Sequence, residues 1–339
     1  MNIKAMTLGA AITVALSTIP LEAQAKTRLL VNCFWPAKHF VCSEVLPNWI
    51  SEIERVTEGR VTGNIPPKSV APPPEQLVSV ERGLVDVAVQ FNGLIQNRVK
   101  GPLVAMQPFT GINDAEKMSR ALWATNREFF ADEFDTVHLL SQFVISPGEL
   151  YSQTDTPINS IDELAKRKIW ALPGPLAAIT KKLDAGVVST PAVKSNEIIS
   201  RGIVDGNLGL DPQALRAFQL MPYIKSNTRF SKAVYSTSFS VFVNQDKWAE
   251  ISPEDQAAIM SVSGDVLGAA FGARWNAAAA AAEAAYGDAG IEIITADPDF
   301  ETSLIEASSF VTEGWLKAAG EAGIDGAGAL EFYKAQLAE

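Results

Sequence analysis

Two spacings of hydrophobic residues alternate along this chain. Short apolar runs at residues 28–32, 84–89, 137–145 and 168–172 predict buried strands. Between such runs, apolar residues recur at three- and four-residue intervals, as over residues 45–56, which predicts helices. Strands that alternate with helices form parallel sheets in α/β proteins. The pattern therefore predicts an α/β fold.

One predicted helix is unusually long. The pattern from Pro253 runs through the alanines at 277–282 to Tyr286, which would make a helix of about 50 Å at 1.5 Å per residue. A bend is expected near Gly264 or Gly268. A helix of this length exceeds one small lobe and is able to pack along two.

The N-terminus has the three parts of a secretory signal peptide. Lys4 supplies a positive charge, an apolar stretch covers residues 5–19, and Ala23-Gln24-Ala25 has the form of a cleavage site. The apolar stretch is shorter than the ~20 residues of a spanning helix, although a short N-terminal anchor is the alternative. We expect cleavage near Ala25, export to the periplasm and no direct membrane insertion.

Composition narrows the choice of partners. The net charge of −11 argues against nucleic acid and anionic membrane as partners. A mature chain of about 310 residues is large enough for two lobes. Composition does not identify a ligand, because a local pocket can oppose the global charge.

The two cysteines predict a disulfide. Cys33 and Cys42 are the only cysteines of the chain, and a pair in an oxidising compartment is usually bonded. The short loop between them would be worth about 2–3 kcal/mol. His39 lies between them, so three zinc ligands are the alternative, but this spacing matches no familiar zinc site. We expect neither a metal nor a cofactor.

Four stretches of sequence share a pattern with a known family. They are Val56-Thr57-Glu58-Gly59-Arg60-Val61; Gly83-Leu84-Val85-Asp86-Val87-Ala88; residues 158–169 followed by Arg201-Gly202-Ile203-Val204-Asp205-Gly206; and residues 242–248 followed by 252–257. In this order and spacing, they resemble the substrate-binding proteins of tripartite ATP-independent periplasmic (TRAP) transporters. The resemblance covers residues 28–335.

This resemblance implies a two-lobed periplasmic-binding-protein clamshell with a long helix that spans both lobes. It also implies a monomer that delivers a small molecule to membrane permease subunits driven by an ion gradient. We assign residues 1–25 to the signal peptide. Residues 26–147 with 235–275 form lobe I in this interpretation, and residues 148–234 with 276–339 form lobe II.

The chain departs from the family at the positions that bind a ligand's carboxylate. Trp170 and Leu150 stand where arginines are common, and the run from Asn207 is less polar than usual. Arginine binds carboxylates through paired hydrogen bonds, so its absence favours an amine, a quaternary ammonium compound or a related zwitterion. A carboxylate or a neutral polyol is the alternative.

Residues near predicted strand ends are the candidate ligand-binding residues, because open α/β sheets bind ligands there. The candidates are Phe34, Trp35, Phe91, Asn92, Glu149, Leu150, Trp170, Asn207, Asp211, Tyr235 and Phe239. Aromatic faces attract cations by about 0.5–2 kcal/mol per contact. The alternative for each aromatic residue is an ordinary place in the core.

Other function classes have less support. The chain has two histidines, His39 and His138, and it has no Gly-x-Ser-x-Gly motif and no phosphate-binding glycine loop. We therefore do not expect an enzyme. A periplasmic sensor module would share the fold and the pocket, and it stays open as an alternative.

Overall fold

A computed structural model describes residues 26–338. The predicted signal peptide and its cleavage near Ala25 lie outside the described residues. Within residues 26–338, no helix has both the length and the apolar character needed to cross a membrane.

Two sheets organise the molecule. The strands are β1 Thr27–Asn32, β2 Val61–Asn64, β3 Val87–Phe91, β4 Val137–Val144, β5 Glu149–Ser152, β6 Lys168–Ala171, β7 Gly186–Val188, β8 Gly206–Leu210, β9 Ser226–Arg229, β10 Ser238–Asn244 and β11 Glu292–Thr295. The first sheet has the order β2-β1-β3-β10-β4 and the second has the order β11-β9-β5-β8-β6-β7. Pairing is parallel except where β10 meets β3 and β4 and where β5 meets β8 and β9.

Helices pack around both sheets. They are α1 Leu46–Val56, α2 Gln76–Glu81, α3 Ala115–Phe129, α4 Ile161–Ala165, α5 Pro175–Lys182, α6 Ser195–Ile199, α7 Pro212–Ala217, α8 Gln245–Ala249, α9 Pro253–Ser261, α10 Gly264–Glu283, α11 Tyr286–Ala289, α12 Pro298–Glu321 and α13 Gly326–Ala338. Each sheet has its own hydrophobic core. The predicted two-lobed α/β fold is therefore confirmed.

Two of the chain's crossings between the lobes lie side by side, after β4 and before β10. Gly148 on the first segment pairs with Tyr235 on the second. A Cβ atom at Gly148 would lie 2.5 Å from the carbonyl oxygen of Gly209. Only glycine therefore fits at this crossover without moving the backbone of β8.

The long helical region spans both lobes, as the sequence predicts. It is interrupted at residues 262–263, immediately before the predicted bend position Gly264, so α9 and α10 follow one another as two helices. Helix α10 packs against α3 and β4 of the first lobe and against α7 of the second. Helix α10 thus contacts both lobes and borders the space between them.

The last helix returns to the first lobe. Helix α12 packs against α4 and α5, but α13 packs against α3, and Tyr333 and Leu337 are buried in the first lobe's core. The sequence-based division instead assigned residues 276–339 to lobe II. An apolar face predicts that α13 is packed, but it does not specify which lobe it packs on.

The predicted disulfide is confirmed, because Cys33 and Cys42 are bonded to one another. Both sulfur atoms are therefore unavailable as the thiolate ligands that the alternative zinc site with His39 would need. The bond connects the end of β1 to the turn that precedes α1. It thereby restrains the segment between them, which carries Phe34 and Trp35.

Candidate functional site

A cavity of about 140 Å³ lies between the two lobes. We call it the aromatic cavity. Its first-lobe wall includes Phe34, Trp35, His39, Phe91, Thr237 and Phe239; its second-lobe wall includes Leu172, Pro173, Leu210, Asp211, Gln213 and Phe218; and Trp275 of α10 joins the two. No lysine or arginine of residues 26–338 lines it.

Strand ends and the long helix place the aromatic rings. The Phe34 and Trp35 rings, just after β1, stack with their centroids 3.8 Å apart. The Trp35 centroid lies 5.4 Å from that of Phe239 and 6.1 Å from that of Trp275. Phe91, at the end of β3, lies 5.5 Å from Phe239 by the same measure. The rings form a continuous apolar wall, which suits a flat apolar ligand better than a hydrated one.

Asp211 is the acidic residue in this wall. Its Oδ1 accepts a hydrogen bond from the backbone N–H of Ala214 at the start of α7 (2.9 Å), and its Oδ2 accepts one from Nε1 of Trp275 (3.1 Å). The side chain is almost fully buried, and this burial raises the pKa of Asp211 to about 7. Near neutral pH the carboxyl is thus able either to accept a hydrogen bond from a ligand or to donate one.

Thr237 supplies a second polar group. Its side chain is 7% exposed, and its hydroxyl has no hydrogen-bond partner within the described part of the chain. A buried polar group without a partner costs about 1–3 kcal/mol. A ligand that offers a polar atom at this point would recover that cost.

His39 and Gln213 connect the lobes at one side of the cavity. Their Nε2 atoms are 3.2 Å apart. A neutral imidazole accepts at only one of its nitrogens, so His39 accepts either from the backbone N–H of Val41 at Nδ1 or from the amide of Gln213 at Nε2. Burial lowers the pKa of His39 to about 4, and the imidazole is therefore neutral at physiological pH.

Five of the residues that the sequence predicts line the aromatic cavity: Phe34, Trp35, Phe91, Asp211 and Phe239. Four of them lie at the end of a strand or within three residues after it, and Phe239 is the second residue of β10. The rule that ligands bind at strand ends therefore points to the edge of both sheets where this cavity lies.

The other six candidates do not line this cavity. Trp170 is fully buried in the second core and donates from Nε1 to the hydroxyl of Thr190 (2.9 Å), while Leu172 and Pro173 face the cavity in its place. Leu150 and Asn207 are buried within the second sheet.

Asn92, Tyr235 and Glu149 also lie elsewhere. Asn92 bonds Ser238 and Ser240 inside the first lobe. Tyr235 is buried at the crossover between the lobes. Glu149 accepts a hydrogen bond from Tyr151 and lines a separate cavity beside that crossover.

Sequence reasoning missed His39, Thr237 and Trp275. Trp275 is the single aromatic side chain between Phe271 and the alanine run of α10. A large ring in a helix of small residues is a usable signal, because it marks where the helix meets a wide gap. His39 and Thr237 carry no comparable signal, since each is brought to the cavity by long-range packing.

Comparison with known proteins shows what the chain resembles. The DctP family model, described as bacterial extracellular solute-binding protein, family 7, matches residues 31–317. A curated relative, the outer membrane transporter protein TsaT of Comamonas testosteroni, is 33% identical over 95% of this chain and 96% of its own length.

Solved structures share the fold. A TRAP periplasmic solute-binding protein from Bordetella bronchiseptica, crystallised with (R)- and (S)-mandelate, is 30% identical and superposes with a TM-score of 0.84, covering 91% of this chain and 98% of that one. A marine metagenome TRAP protein specific for aromatic acid ligands, in complex with metahydroxyphenylacetate, is 22% identical with a TM-score of 0.83 over 92% of this chain and 99% of that one. At 22% identity, the similarity to the marine metagenome protein shows a shared fold and nothing more.

Proposed function

This chain belongs to the bacterial extracellular solute-binding protein family 7, the solute-binding proteins of TRAP transporters, and we propose that it captures a small molecule in the aromatic cavity. Members of this family are transport receptors that work with membrane permease components. In our proposal the exported chain begins near Lys26, acts in the periplasm as a monomer and delivers its ligand to permease subunits.

The proposal for the apolar part of the ligand, which we call its body, rests on the lining of the aromatic cavity. A cavity of about 150 Å³ with apolar walls binds benzene in an engineered protein, and the cavity here is of similar size, about 140 Å³. One six-membered ring is therefore the body that fits between Trp35, Phe239 and Leu210. A neutral polyol fits poorly, because most of its hydroxyls would face apolar carbon.

Two kinds of polar group on the ligand have support, and we call this group the polar head. A carboxylic acid is supported by the mandelate bound to the relative from Bordetella bronchiseptica. An amine, a quaternary ammonium group or a zwitterion is supported by Asp211, which offers a negative charge among aromatic faces when it is ionised. The two heads require opposite charges in the ligand, so binding measurements separate them.

Ligand binding is expected to favour the closed molecule. Residues of both lobes line the cavity, so a ligand makes its full set of contacts only when the lobes are together. Such a ligand shifts the population toward the closed form. The closed form then presents a surface that the permease can distinguish from the open one.

A thermal-shift screen tests this proposal. Aromatic acids, aromatic amines, quaternary amines, betaines and polyols would be added to the protein of residues 26–339. A ligand at 100 times its Kd adds about 2.7 kcal/mol of stability, which moves the midpoint by roughly 5–10 °C.

Two tryptophan variants show where the ligand lies. Trp35→Ala should abolish the shift because Trp35 lines the cavity, whereas Trp170→Phe should retain it because Trp170 lies behind the wall. A shift that Trp170→Phe abolishes and Trp35→Ala leaves intact would contradict the proposed site. A periplasmic sensor module would pass this screen as well, and transport by vesicles that contain the permease subunits separates the two roles.

A further inference from the structure

The bond between Cys33 and Cys42 closes a loop of residues 33–42, which we call the disulfide loop. Three side chains of this loop line the first-lobe side of the aromatic cavity: Phe34, Trp35 and His39. The ring centroids of Trp35 and His39 lie 6.1 Å and 5.7 Å from that of Trp275 on α10. The disulfide loop therefore forms a large part of the surface that a ligand in this cavity would contact.

The same loop meets the second lobe. Nε2 of His39 lies 3.2 Å from Nε2 of Gln213 on α7. Pro36 and Lys38 line a separate cavity of about 430 Å³ together with residues of α7. The position of the disulfide loop thus affects both the ligand wall and the contact between the lobes.

Few backbone interactions fix this loop. Strand β1 ends at Asn32, and the next helical turn begins at Val41. Within the described part of the chain, no backbone–backbone hydrogen bond joins residues 34–38 to a residue outside the loop. The N–H of His39 donates to the carbonyl oxygen of Pro36 (2.7 Å), which is a bond inside the loop. Ring packing and the disulfide are therefore the two interactions that hold it.

The disulfide supplies the directional restraint of the two. Hydrophobic contacts between rings are non-directional, and the stacked pair of Phe34 and Trp35 lies within the loop and moves with it. The disulfide holds the Cα atoms of Cys33 and Cys42 5.8 Å apart. Without this bond the loop has more conformations available, and fewer of them place its rings at the cavity.

We infer that the Cys33–Cys42 disulfide positions the first-lobe wall of the aromatic cavity and that ligand capture depends on it. This inference rests on the proposed function and adds a covalent condition for a complete site. Cys33 and Cys42 are positioning residues, because they act through Phe34, Trp35 and His39. Thiols stay reduced in the cytoplasm and are oxidised in the periplasm, so the exported chain completes its ligand wall only after export.

A small reductant is able to reach this bond. Both cysteines line a cavity of about 530 Å³ beside Pro66 and Pro67, and Cys42 is only half-buried. A thiolate of dithiothreitol attacks one sulfur and forms a mixed disulfide, which the second thiol of the reductant then resolves. The S–S bond breaks, Cys33 and Cys42 become thiols, and dithiothreitol becomes a cyclic disulfide. Two electrons and two protons pass from the reductant to the protein.

Four forms of the protein of residues 26–339 test the inference. They are the unmodified protein, the same protein reduced by dithiothreitol, the double variant Cys33→Ala/Cys42→Ala and the control Val80→Ala. Val80 is buried in the first lobe but does not line the aromatic cavity, so its truncation lowers stability without touching the wall. Circular dichroism would establish that each form is folded before measurement.

Hydrogen exchange measures the position of the loop without a ligand. The backbone amides of residues 39, 42 and 43 are hydrogen-bonded at this loop. In the reduced protein and in the double variant they should exchange about tenfold faster, because this segment opens more often. In Val80→Ala they should exchange at the rate of the unmodified protein.

Titration calorimetry measures ligand capture with three single-ring probes of different charge: mandelate, benzyl alcohol and benzylamine. The probe that binds the unmodified protein most tightly should bind the reduced protein and the double variant about tenfold more weakly, as expected when about a tenth of the molecules have the wall in place. Reoxidation of the reduced protein should restore the affinity. Val80→Ala should bind as the unmodified protein does.

Two results would overturn the inference and leave the aromatic cavity standing. The first is unchanged exchange and unchanged binding without the disulfide, which would show that ring packing alone holds the loop. The second is an equal loss of affinity in Val80→Ala, which would show that lost stability weakens binding. If no probe binds the unmodified protein, the ring site of the proposed function fails, and the inference fails together with it.

Discussion

Replacing Asp211 by asparagine tests how burial in the aromatic cavity affects the ionisation of this carboxyl and, through it, the stability of the protein. Burial raises the pKa of Asp211 from its ordinary 3.8 to about 7. The folded protein therefore binds this proton more tightly than the unfolded chain does. The stabilisation is fully present below pH 4 and is lost as the pH rises through 7.

The expected magnitude follows from the two pKa values. They correspond to about 4 kcal/mol in total, of which about 3 kcal/mol is lost between pH 4.5 and pH 8. Asparagine cannot ionise, so it removes this pH dependence. It still accepts from the backbone N–H of Ala214, but its amide then faces Nε1 of Trp275, and the hydrogen bond recorded there is lost. That loss costs about 1 kcal/mol at every pH.

Urea unfolding at a series of pH values is the assay. Asp211→Asn should be less stable than the unmodified protein by about 1 kcal/mol at low pH, and its relative stability should rise by about 3 kcal/mol by pH 8. Asp297→Asn is the control, because Asp297 also caps a helix but is exposed. A difference between Asp211→Asn and the unmodified protein that stays constant with pH would refute the reasoning.

Three substitutions test the packing at the crossover between the lobes and in the aromatic cavity. Gly148→Ala should destabilise the fold by about 2–4 kcal/mol, because its Cβ would lie 2.5 Å from the carbonyl oxygen of Gly209. Thr237→Val should leave the ligand-free protein equally or more stable in urea, because it removes a buried hydroxyl that has no partner within the described residues. His39→Asn should make stability less sensitive to acid. The lowered pKa of His39 makes the folded chain bind fewer protons than the unfolded chain between pH 6.5 and pH 4, which removes about 3 kcal/mol over that range.

Controls and contrary results are available for each of these. Gly287→Ala should be tolerated, since its Cβ would have no neighbour within 4 Å, and equal stability of both alanine variants would contradict the crossover argument. A clear loss of stability in ligand-free Thr237→Val would show that the hydroxyl has a partner after all. An unchanged acid limb of the stability profile in His39→Asn would show that His39 is not held neutral by its burial.

The lobe architecture was predictable because it depends on local pattern. Alternating strands and helices fix the α/β class, and strand ends identify the edge where ligands bind. Phe34, Trp35 and Phe91 were placed beside the aromatic cavity for that reason. The interrupted helix before Gly264 was also expected within a few residues.

Residues brought together by distant packing were not predictable. The motif fixes the place of Trp170 in its strand, but whether its ring reaches the ligand depends on Leu172 and Pro173, which face the cavity instead. Trp275 and His39 meet at the cavity only because α10 and the segment after β1 pack together. The lobe on which α13 packs also depends on tertiary contacts, so the sequence pattern does not predict it.

A crystal structure of residues 26–339 with the compound that gives the largest thermal shift tests the central claim most directly. We predict one ring between Trp35, Phe239 and Leu210, in contact with both lobes. A ligand bound outside the aromatic cavity, or one that contacts a single lobe, would contradict the account.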